Sequence, residues 1–150
     1  MKQGPERELV ARYLDRAVAT GKPLGLTGFD VHEAPESRAA SAAARKSEEA
    51  RALAGASSDT LLVALDERGR SMGSEALAQL IARWRDDGRP AAAFLIGGAD
   101  GLDQGLVAQA DLALSFSPLT WPHQLVRIML AEQLYRATTI LAGHPYHRGD

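Results

Sequence analysis

The chain has 150 residues, a length that fits one domain around one core. Its residues are 45% hydrophobic and 24% charged, which is ordinary for a globular protein, and no apolar run approaches the roughly 18 residues of a membrane span. The sequence has no cysteine, which excludes disulfides, thiolate nucleophiles and zinc–thiolate sites. Because the chain also opens without a signal-peptide pattern, we expect a cytoplasmic protein with no membrane partner.

The net charge of −2 is not typical of a protein that holds nucleic acid by charge alone. Contact with RNA would then depend on a local basic patch, on a dimer surface or on recognition of a folded shape. Charge by itself therefore neither favours nor excludes an RNA substrate.

Helical and extended patterns alternate along the chain. Pro5 suits the first turn of a helix, apolar residues then recur at helical spacing, and Gly21 ends that helix. The patterns predict, in order, a helix at Pro5–Gly21, a strand at Leu24–His32, a helix at Ser37–Ala54, a loop at Gly55–Ser58, a strand at Thr60–Leu65, a helix at Ser74–Trp84, a strand at Ala91–Ile96, a helix at Asp103–Ala110, a strand at Leu112–Phe116 and a helix at Pro122–Leu141. Such alternation, with apolar strands, predicts one α/β domain with a parallel-rich sheet flanked by helices.

Three predicted strand ends carry unusual chemistry, and ligands of open α/β sheets bind beyond such ends. They are Leu65–Gly69, Ile96–Gly101 and Ser115–His123. Gly97 and Gly98 would let a ligand approach the backbone closely, although a plain tight turn is the more common reason for a glycine pair. The chain lacks the glycine spacing of a dinucleotide fold and the Walker lysine motif, which disfavours nicotinamide and nucleoside triphosphate enzymes.

The last predicted helix and the tail behind it form a second region of interest. The helix has two apolar stripes where a surface helix needs one, so it is either central to the core or shared with a partner subunit. Glu132 and Arg136 are four residues apart and are placed to pair on the exposed edge of the helix. The tail holds His144 and His147 but no evident third zinc ligand, so we expect no metal site. Its histidine, tyrosine and arginine residues better suit an anionic RNA backbone and a proton.

Four blocks of the sequence carry a resemblance to a known family, and a fifth adds to it. The four are Phe94–Gly101, Leu114–Arg127, Glu132–Ala137 and His144–Arg148, and the fifth is Leu65–Gly69. In order and spacing the four blocks resemble the RlmH family of SPOUT methyltransferases, which act on N3 of a pseudouridine in the RNA of the large ribosomal subunit. The resemblance implies a SPOUT α/β fold with a C-terminal trefoil knot, an exception to the rule that chains do not thread loops, and a homodimer. Family members usually open with a short apolar strand that this chain lacks, so we expect an exposed sheet edge there.

The resemblance also implies a cofactor and its site. S-adenosylmethionine would lie bent in the knot, against Leu65, Asp66, Gly97, Gly98 and the loop formed by Ser117, Pro118, Leu119, Thr120, Trp121 and Pro122. Because its methyl group is already activated on a sulfonium, the reaction needs alignment and removal of the N3 proton rather than a metal.

The candidate catalytic residues lie towards the C-terminus. His147 is the candidate for handling the N3 proton, with Arg148 and Arg136 holding phosphate or stabilising the developing negative charge. His123 is either an alternative base or a structural loop histidine.

Two alternative functions stay open at this point. One is a catalytically silent SPOUT protein that binds RNA or the ribosome, against which the intact glycine pair, strand-end loop and tail argue. The other is a SPOUT methyltransferase that acts on transfer RNA, against which the tail block and the lack of an appended RNA-binding domain argue. A small domain without such an appendage needs a large preassembled surface to recognise, as the ribosome provides.

Overall fold

A computed structural model of the chain describes residues 4–32, 59–97, 102 and 104–148. The predicted helix at Ser37–Ala54, the predicted loop at Gly55–Ser58 and the candidate residue Gly98 lie outside the described residues. The chain divides into two compact units, which we call the helical unit (Met1–Val31, Gly73–Gly88 and Gln124–Asp150) and the sheet unit (His32–Met72 and Arg89–His123). That the chain is a single domain stays a prediction.

The described helices agree with the sequence patterns. Helix α1 is Pro5–Gly21, α2 is Ser74–Asp86, α3 is Gln104–Gln109 and α4 is His123–Ala142. Pro5 stands in the first turn of α1, where its missing N–H costs no hydrogen bond. Gly88, with a φ of 78°, supplies the left-handed turn that follows α2. None of the described helices is long and apolar enough to cross a membrane.

Helix α4 buries a stripe of its residues in the helical unit: Leu130, Ala131, Tyr135, Ala137, Thr138 and Thr139. The buried hydroxyls of Thr138 and Thr139 donate to the carbonyl oxygens of Tyr135 and Arg136, each at 2.6 Å. These bonds satisfy two polar groups that would otherwise be costly to bury. This stripe of the helix therefore lies in the core, which is one of the two positions that the apolar pattern left open.

The predicted strand at Leu24–His32 is wrong. Lys22–Leu24 form a turn of 3₁₀ helix, and Gly25 and Gly28 have φ values of 80° and 74°. The N–H of Leu26 donates to the carbonyl oxygen of Gly21 at 3.0 Å, so this backbone closes a local turn instead of joining a ladder. Two glycines with left-handed backbone angles interrupt an extended segment. The alternation of apolar and polar residues, from which the strand was predicted, gives no information about those angles.

The sheet unit contains, within the described residues, three parallel strands in the order β2-β1-β3. Strand β1 is Leu61–Ser71, β2 is Ala92–Leu95 and β3 is Leu112–Ser115. Leu62, Val63 and Ala64 are fully buried, as the apolar run of the sequence predicts. The backbone N–H of Leu62 donates to the carboxylate of Asp111 at 2.7 Å, and the N–H of Asp111 donates back to the carbonyl oxygen of Leu62 at 2.8 Å. This reciprocal pair fixes the start of β3 against β1.

Strand β1 runs six residues beyond its predicted end at Leu65, but its pairing with β3 is irregular. Leu114 is in register with Leu65 and again with Arg70, so residues 66–69 are an extra segment. A Cβ at Gly69 would lie 2.7 Å from the carbonyl carbon and oxygen of Ala113. Only a residue without a side chain allows this approach to the β3 backbone.

We therefore expect Gly69→Ala to lower the free energy of unfolding by about 1–3 kcal/mol, the usual cost of forcing a methyl group into a closely packed position. Urea denaturation of the two proteins measures the difference. Gly73→Ala is the matched control, because a Cβ there meets no atom within 4 Å. Equal destabilisation by the two substitutions would contradict the close approach at Gly69.

Candidate functional site

Side-chain hydrogen bonds join two strand-end segments of the sheet unit, residues 66–69 after the regular part of β1 and residues 115–120 at the end of β3. The hydroxyl of Thr120 donates to Oε2 of Glu67 at 2.7 Å. The hydroxyl of Ser115 lies 3.1 Å from the carbonyl oxygen of Glu67 and 3.0 Å from that of Ser117, and it can donate its proton to either. We call the contacts of Glu67 with Ser115 and Thr120 the strand-end clasp.

The 115–120 loop is further fixed by its own serines. The N–H of Ser117 donates to the hydroxyl of Ser115 at 3.1 Å, and the N–H of Leu119 donates to the hydroxyl of Ser117 at 2.9 Å. Serine side chains that bond to the backbone two residues on are typical of turns. The serine side chains therefore hold the loop through its own backbone N–H groups.

Asp66 is a largely buried carboxylate of the sheet unit that two other residues hold. Its side chain is 9% exposed and accepts from the N–H of Arg68 at 2.8 Å, from Nε of Arg68 at 3.4 Å and from the amide of Gln104 at 3.2 Å. Burial acts to raise the pKa of Asp66, but the hydrogen bonds from Arg68 and Gln104 and the charge of Arg68 outweigh it and lower that pKa below its usual value. Asp66 is therefore ionised at neutral pH.

The other predicted cofactor residues of the sheet unit surround these contacts in the chain. Leu65 and Gly97 are half-buried, at the end of the regular part of β1 and two residues beyond β2. Pro118 and Pro122 are exposed, and the large side chains of Leu119 and Trp121 are 63% and 41% exposed. The structure thus connects the 66–69 and 117–120 segments through hydrogen bonds and presents apolar surface on the second.

Sequence reasoning missed three residues that hold this arrangement. Glu67 and Ser115 stand inside the segments that the sequence singles out, and their polarity beside apolar strands is a signal that could have found them. Gln104, at the start of α3, gives no such signal, because nothing in its neighbourhood links it to Asp66 thirty-eight residues earlier.

In the helical unit, the end of α4 places the C-terminal tail. Gly143 has a φ of 70°, and the N–H of His144 returns to the carbonyl oxygen of Thr139 at 2.9 Å. This is the glycine-terminated helix end in which the chain reverses and leaves along the side of the helix. The N–H of Tyr146 then donates to Nδ1 of His144 at 3.1 Å, closing a turn that directs Tyr146 and His147 back to α4.

The predicted pair of Glu132 and Arg136 is confirmed, but it is largely buried instead of lying on an exposed edge of the helix. Nε and Nη2 of Arg136 lie 2.7 and 2.6 Å from Oε1 of Glu132, and the two side chains are only 25% and 17% exposed. The hydrogen bond to Glu132 raises the pKa of Arg136, against the opposing effect of burial. Burial, reinforced by the negative charge of Glu132, raises the pKa of Tyr146, so both groups stay protonated at neutral pH.

The side chain of His147 contacts Arg136 of this pair. Nη1 of Arg136 donates to Nδ1 of His147 at 3.1 Å, and Nε2 lies 3.3 Å from Oε1 of Glu75 in α2. Nε2 is buried, and its contact with Glu75 is close without being aligned as a hydrogen bond. Of the other candidate catalytic residues, Arg148 is exposed beside His147 in the chain, and His123 is half-buried at the first residue of α4.

Aromatic rings complete the tail cluster, by which we mean Glu132, Tyr135, Arg136, Tyr146 and His147. The ring of Tyr146 lies 4.6 Å from that of Tyr135, and the guanidinium of Arg136 lies 4.9 Å from the Tyr146 ring. Tilted aromatic pairs and cation–π contacts of this kind hold the tail segment against the helix. Among residues 4–32, 59–97, 102 and 104–148, no group of three histidine, aspartate or glutamate side chains could hold a metal ion.

Comparison with known proteins gives a match over nearly the whole chain. A family model described as "Predicted SPOUT methyltransferase" matches residues 1–147. The chain belongs to this family.

Curated relatives agree with the family match. The chain is 57% identical over 149 residues to a protein of Bradyrhizobium sp. (strain BTAi1) named "Ribosomal RNA large subunit methyltransferase H", and the match spans 99% of this chain and 93% of the relative. Proteins of the same name from Rhodopseudomonas palustris (strain TIE-1) and Nitrobacter winogradskyi are each 57% identical, over 99% of this chain and 93% and 94% of the relatives. The resemblance to the RlmH family is thereby confirmed.

The lowered pKa of Asp66 predicts a pH-dependent contribution to stability. A carboxylate whose pKa is lower in the folded state stabilises that state above its unfolded pKa, and the contribution is lost as the pH falls through the folded pKa. We therefore expect Asp66→Asn to destabilise the protein at about pH 7 and to differ less from the wild type at about pH 3, as measured by urea denaturation at both values. A deficit that is the same at both pH values would contradict the charge-dependent role of Asp66.

Proposed function

We propose that the protein is an S-adenosylmethionine-dependent methyltransferase that methylates N3 of a pseudouridine in the large-subunit ribosomal RNA of the assembled ribosome. The observation that carries the proposal is the 57% identity, over 99% of the chain, to proteins named for methylation of that RNA. The position of the target atom rests on the resemblance of the five sequence blocks to the RlmH family.

The sheet unit carries the residues that fit S-adenosylmethionine. The exposed side chains of Leu119 and Trp121 offer apolar and aromatic surface to an adenine ring or to a cation. Asp66 offers a carboxylate that is ionised at neutral pH, which suits a positively charged ligand. The strand-end clasp holds the two segments in one arrangement before a ligand arrives, so that less ordering entropy is lost on binding.

When bound, S-adenosylmethionine supplies a methyl group that its sulfonium has already activated. The chain's residues then need only to orient the target nitrogen and to remove its proton. We assign proton handling to His147, and we assign to Arg136 and Arg148 the stabilisation of negative charge on the base or the phosphate backbone. His123 is the alternative base. In the arrangement described, Nδ1 of His147 is occupied by Arg136, so His147 can accept a proton at Nδ1 only when that bond opens.

The proposal includes the assembly and the topology that the resemblance implies. The homodimer rests on the resemblance to the RlmH family, and Leu125 in the first turns of α4 is 43% exposed and therefore available to it. A trefoil knot in the C-terminal part of the chain is supported by the order of the matching sequence blocks. A protein that acts on ribosomes would work in the cytoplasm.

Methyl transfer from labelled S-adenosylmethionine tests the proposal. Ribosomes that lack their native modifications, separated subunits and bulk transfer RNA are compared as substrates. We expect label on ribosomes, recovered in large-subunit RNA. Label on transfer RNA alone would favour the second function considered above, and measurable cofactor binding without label on any RNA would favour the catalytically silent binder.

The strand-end clasp predicts the effect of one small substitution. Thr120→Val removes the hydroxyl that donates to Glu67 and should weaken S-adenosylmethionine binding by about threefold to tenfold, the usual worth of one hydrogen bond. Isothermal titration measures the dissociation constant. Thr120→Ser keeps the hydroxyl and should bind like the wild type. Wild-type affinity in both variants would show that the clasp does not support the cofactor site.

A further inference from the structure

One carboxylate oxygen of Glu132 contacts both Arg136 and Tyr146. Oε1 accepts from Nε of Arg136 at 2.7 Å and from the hydroxyl of Tyr146 at 3.3 Å, and Nη2 of Arg136 lies 2.6 Å away as the second nitrogen of the ion pair. The amide of Gln133 donates to the other oxygen at 3.3 Å. Because the Glu132 side chain is only 17% exposed, water contributes little to its solvation and these donors replace it. An ion pair on the exposed surface of a helix would need fewer protein donors, because water would solvate its carboxylate.

Through these contacts Glu132 acts on both sides of the tail cluster. It fixes the guanidinium of Arg136 on α4, and it holds the hydroxyl of Tyr146, whose ring packs at a tilt against Tyr135 and lies under Arg136. Removing the carboxylate would therefore release a side chain of the helix and an anchor of the tail together.

The next contact determines the tautomer of His147. Arginine is always protonated and only donates, so Nδ1 of His147 must be the acceptor of the bond from Nη1 of Arg136. A neutral His147 then carries its proton on Nε2, which lies 3.3 Å from the carboxylate of Glu75. The chain of contacts runs from Glu132 through Arg136 to His147, and it ends at Glu75.

We propose that Glu132 is a positioning residue for methyl transfer: it orients Arg136, and through Arg136 it fixes the ring orientation of His147 and the tautomer in which Nδ1 is unprotonated. Nδ1 is then the nitrogen that accepts the N3 proton once its bond with Arg136 opens, while Nε2 keeps its own proton. The proposal rests on the proposed function, since it gives Glu132 a role only in the reaction assigned above. It goes beyond a structural staple, because a staple would hold the tail in place without determining which nitrogen of His147 carries the proton.

The variant Glu132→Gln tests the proposal, because it keeps the size of the side chain and removes the charge that holds Arg136. Glu8→Gln, at an exposed position of α1, is the matched control for the loss of one carboxylate. Long-range ¹H–¹⁵N correlation spectra report the tautomer of each histidine, and the chain has only four. This readout does not depend on catalysis. Methyl transfer to ribosomes gives kcat and KM, and titration gives the affinity for S-adenosylmethionine.

We expect His147 of the wild type and of Glu8→Gln to be in the form protonated on Nε2, and that of Glu132→Gln to exchange between the two tautomers. We expect kcat of Glu132→Gln to fall by about tenfold to a hundredfold, with KM and cofactor affinity nearly unchanged, because orientation is lost rather than binding. Glu132→Asp, which retains the charge, should recover part of both kcat and the tautomer signal.

A wild-type protein with His147 protonated on Nδ1, or a Glu132→Gln variant with an unchanged tautomer and unchanged kcat, would overturn the proposal. A changed tautomer with wild-type kcat would also overturn it. If Glu132→Gln does not fold, Arg136→Met carries the spectroscopic test, because methionine is also unbranched and has no donor for Nδ1 of His147. An unchanged tautomer in that variant contradicts the proposal. If the wild type methylates no RNA, the proposed function fails. The spectra then show only whether Glu132 determines the tautomer of His147.

Discussion

The close approach of Gly69 to the backbone of β3 is the constraint on which the rest of the sheet unit depends. Regular pairing of β1 with β3 ends at Leu65 and resumes at Arg70, with Leu114 as the partner both times. Four residues must therefore fit where no ladder position exists, and the absence of a side chain at Gly69 makes the fit possible. Within this short segment stand Asp66 and Glu67, the two carboxylates that Gln104 and Thr120 bind. A packing constraint thus fixes the place of the polar groups.

The two units use polar groups in different ways. In the sheet unit, hydroxyls and amide groups bond to loop backbone and to two carboxylates, which builds a preformed surface with exposed apolar side chains. In the helical unit, charges of opposite sign alternate from Glu132 to Arg136 and, through His147, to Glu75. The first arrangement suits the binding of a cofactor by shape and backbone contacts, and the second suits the control of a proton and of negative charge.

Much of the fold follows from local sequence patterns. Pro5 and the apolar spacing behind it predict α1, and the uninterrupted apolar run before Leu65 predicts the buried part of β1. The prediction failed where backbone conformation decided the outcome, as at Gly25 and Gly28, whose left-handed φ values end a segment that reads as a strand. The predicted end of β1 was also too early. Charged residues and a glycine usually indicate a loop, but in this chain they form the extra segment inside an irregular ladder.

The candidate site likewise contains one contact that the sequence pattern predicts and others that it does not. The spacing of Glu132 and Arg136 predicts their pair because helix geometry is regular. The contact of Arg136 with His147 crosses the helix end, where the direction of the tail depends on the turn at Gly143, and no periodicity carries that information. The bond between Gln104 and Asp66 depends on the packing of a short helix against β1 and was likewise beyond sequence patterns.

Identification of the methylated atom tests the central claim most directly. Ribosomes lacking native modifications would be treated with the protein and S-adenosylmethionine carrying a deuterated methyl group, and the large-subunit RNA would be digested and its nucleosides resolved by mass spectrometry. The account predicts a deuterated methyl group on N3 of a pseudouridine. A deuterated methyl group on any other nucleoside, or on the RNA of the small subunit alone, would contradict it.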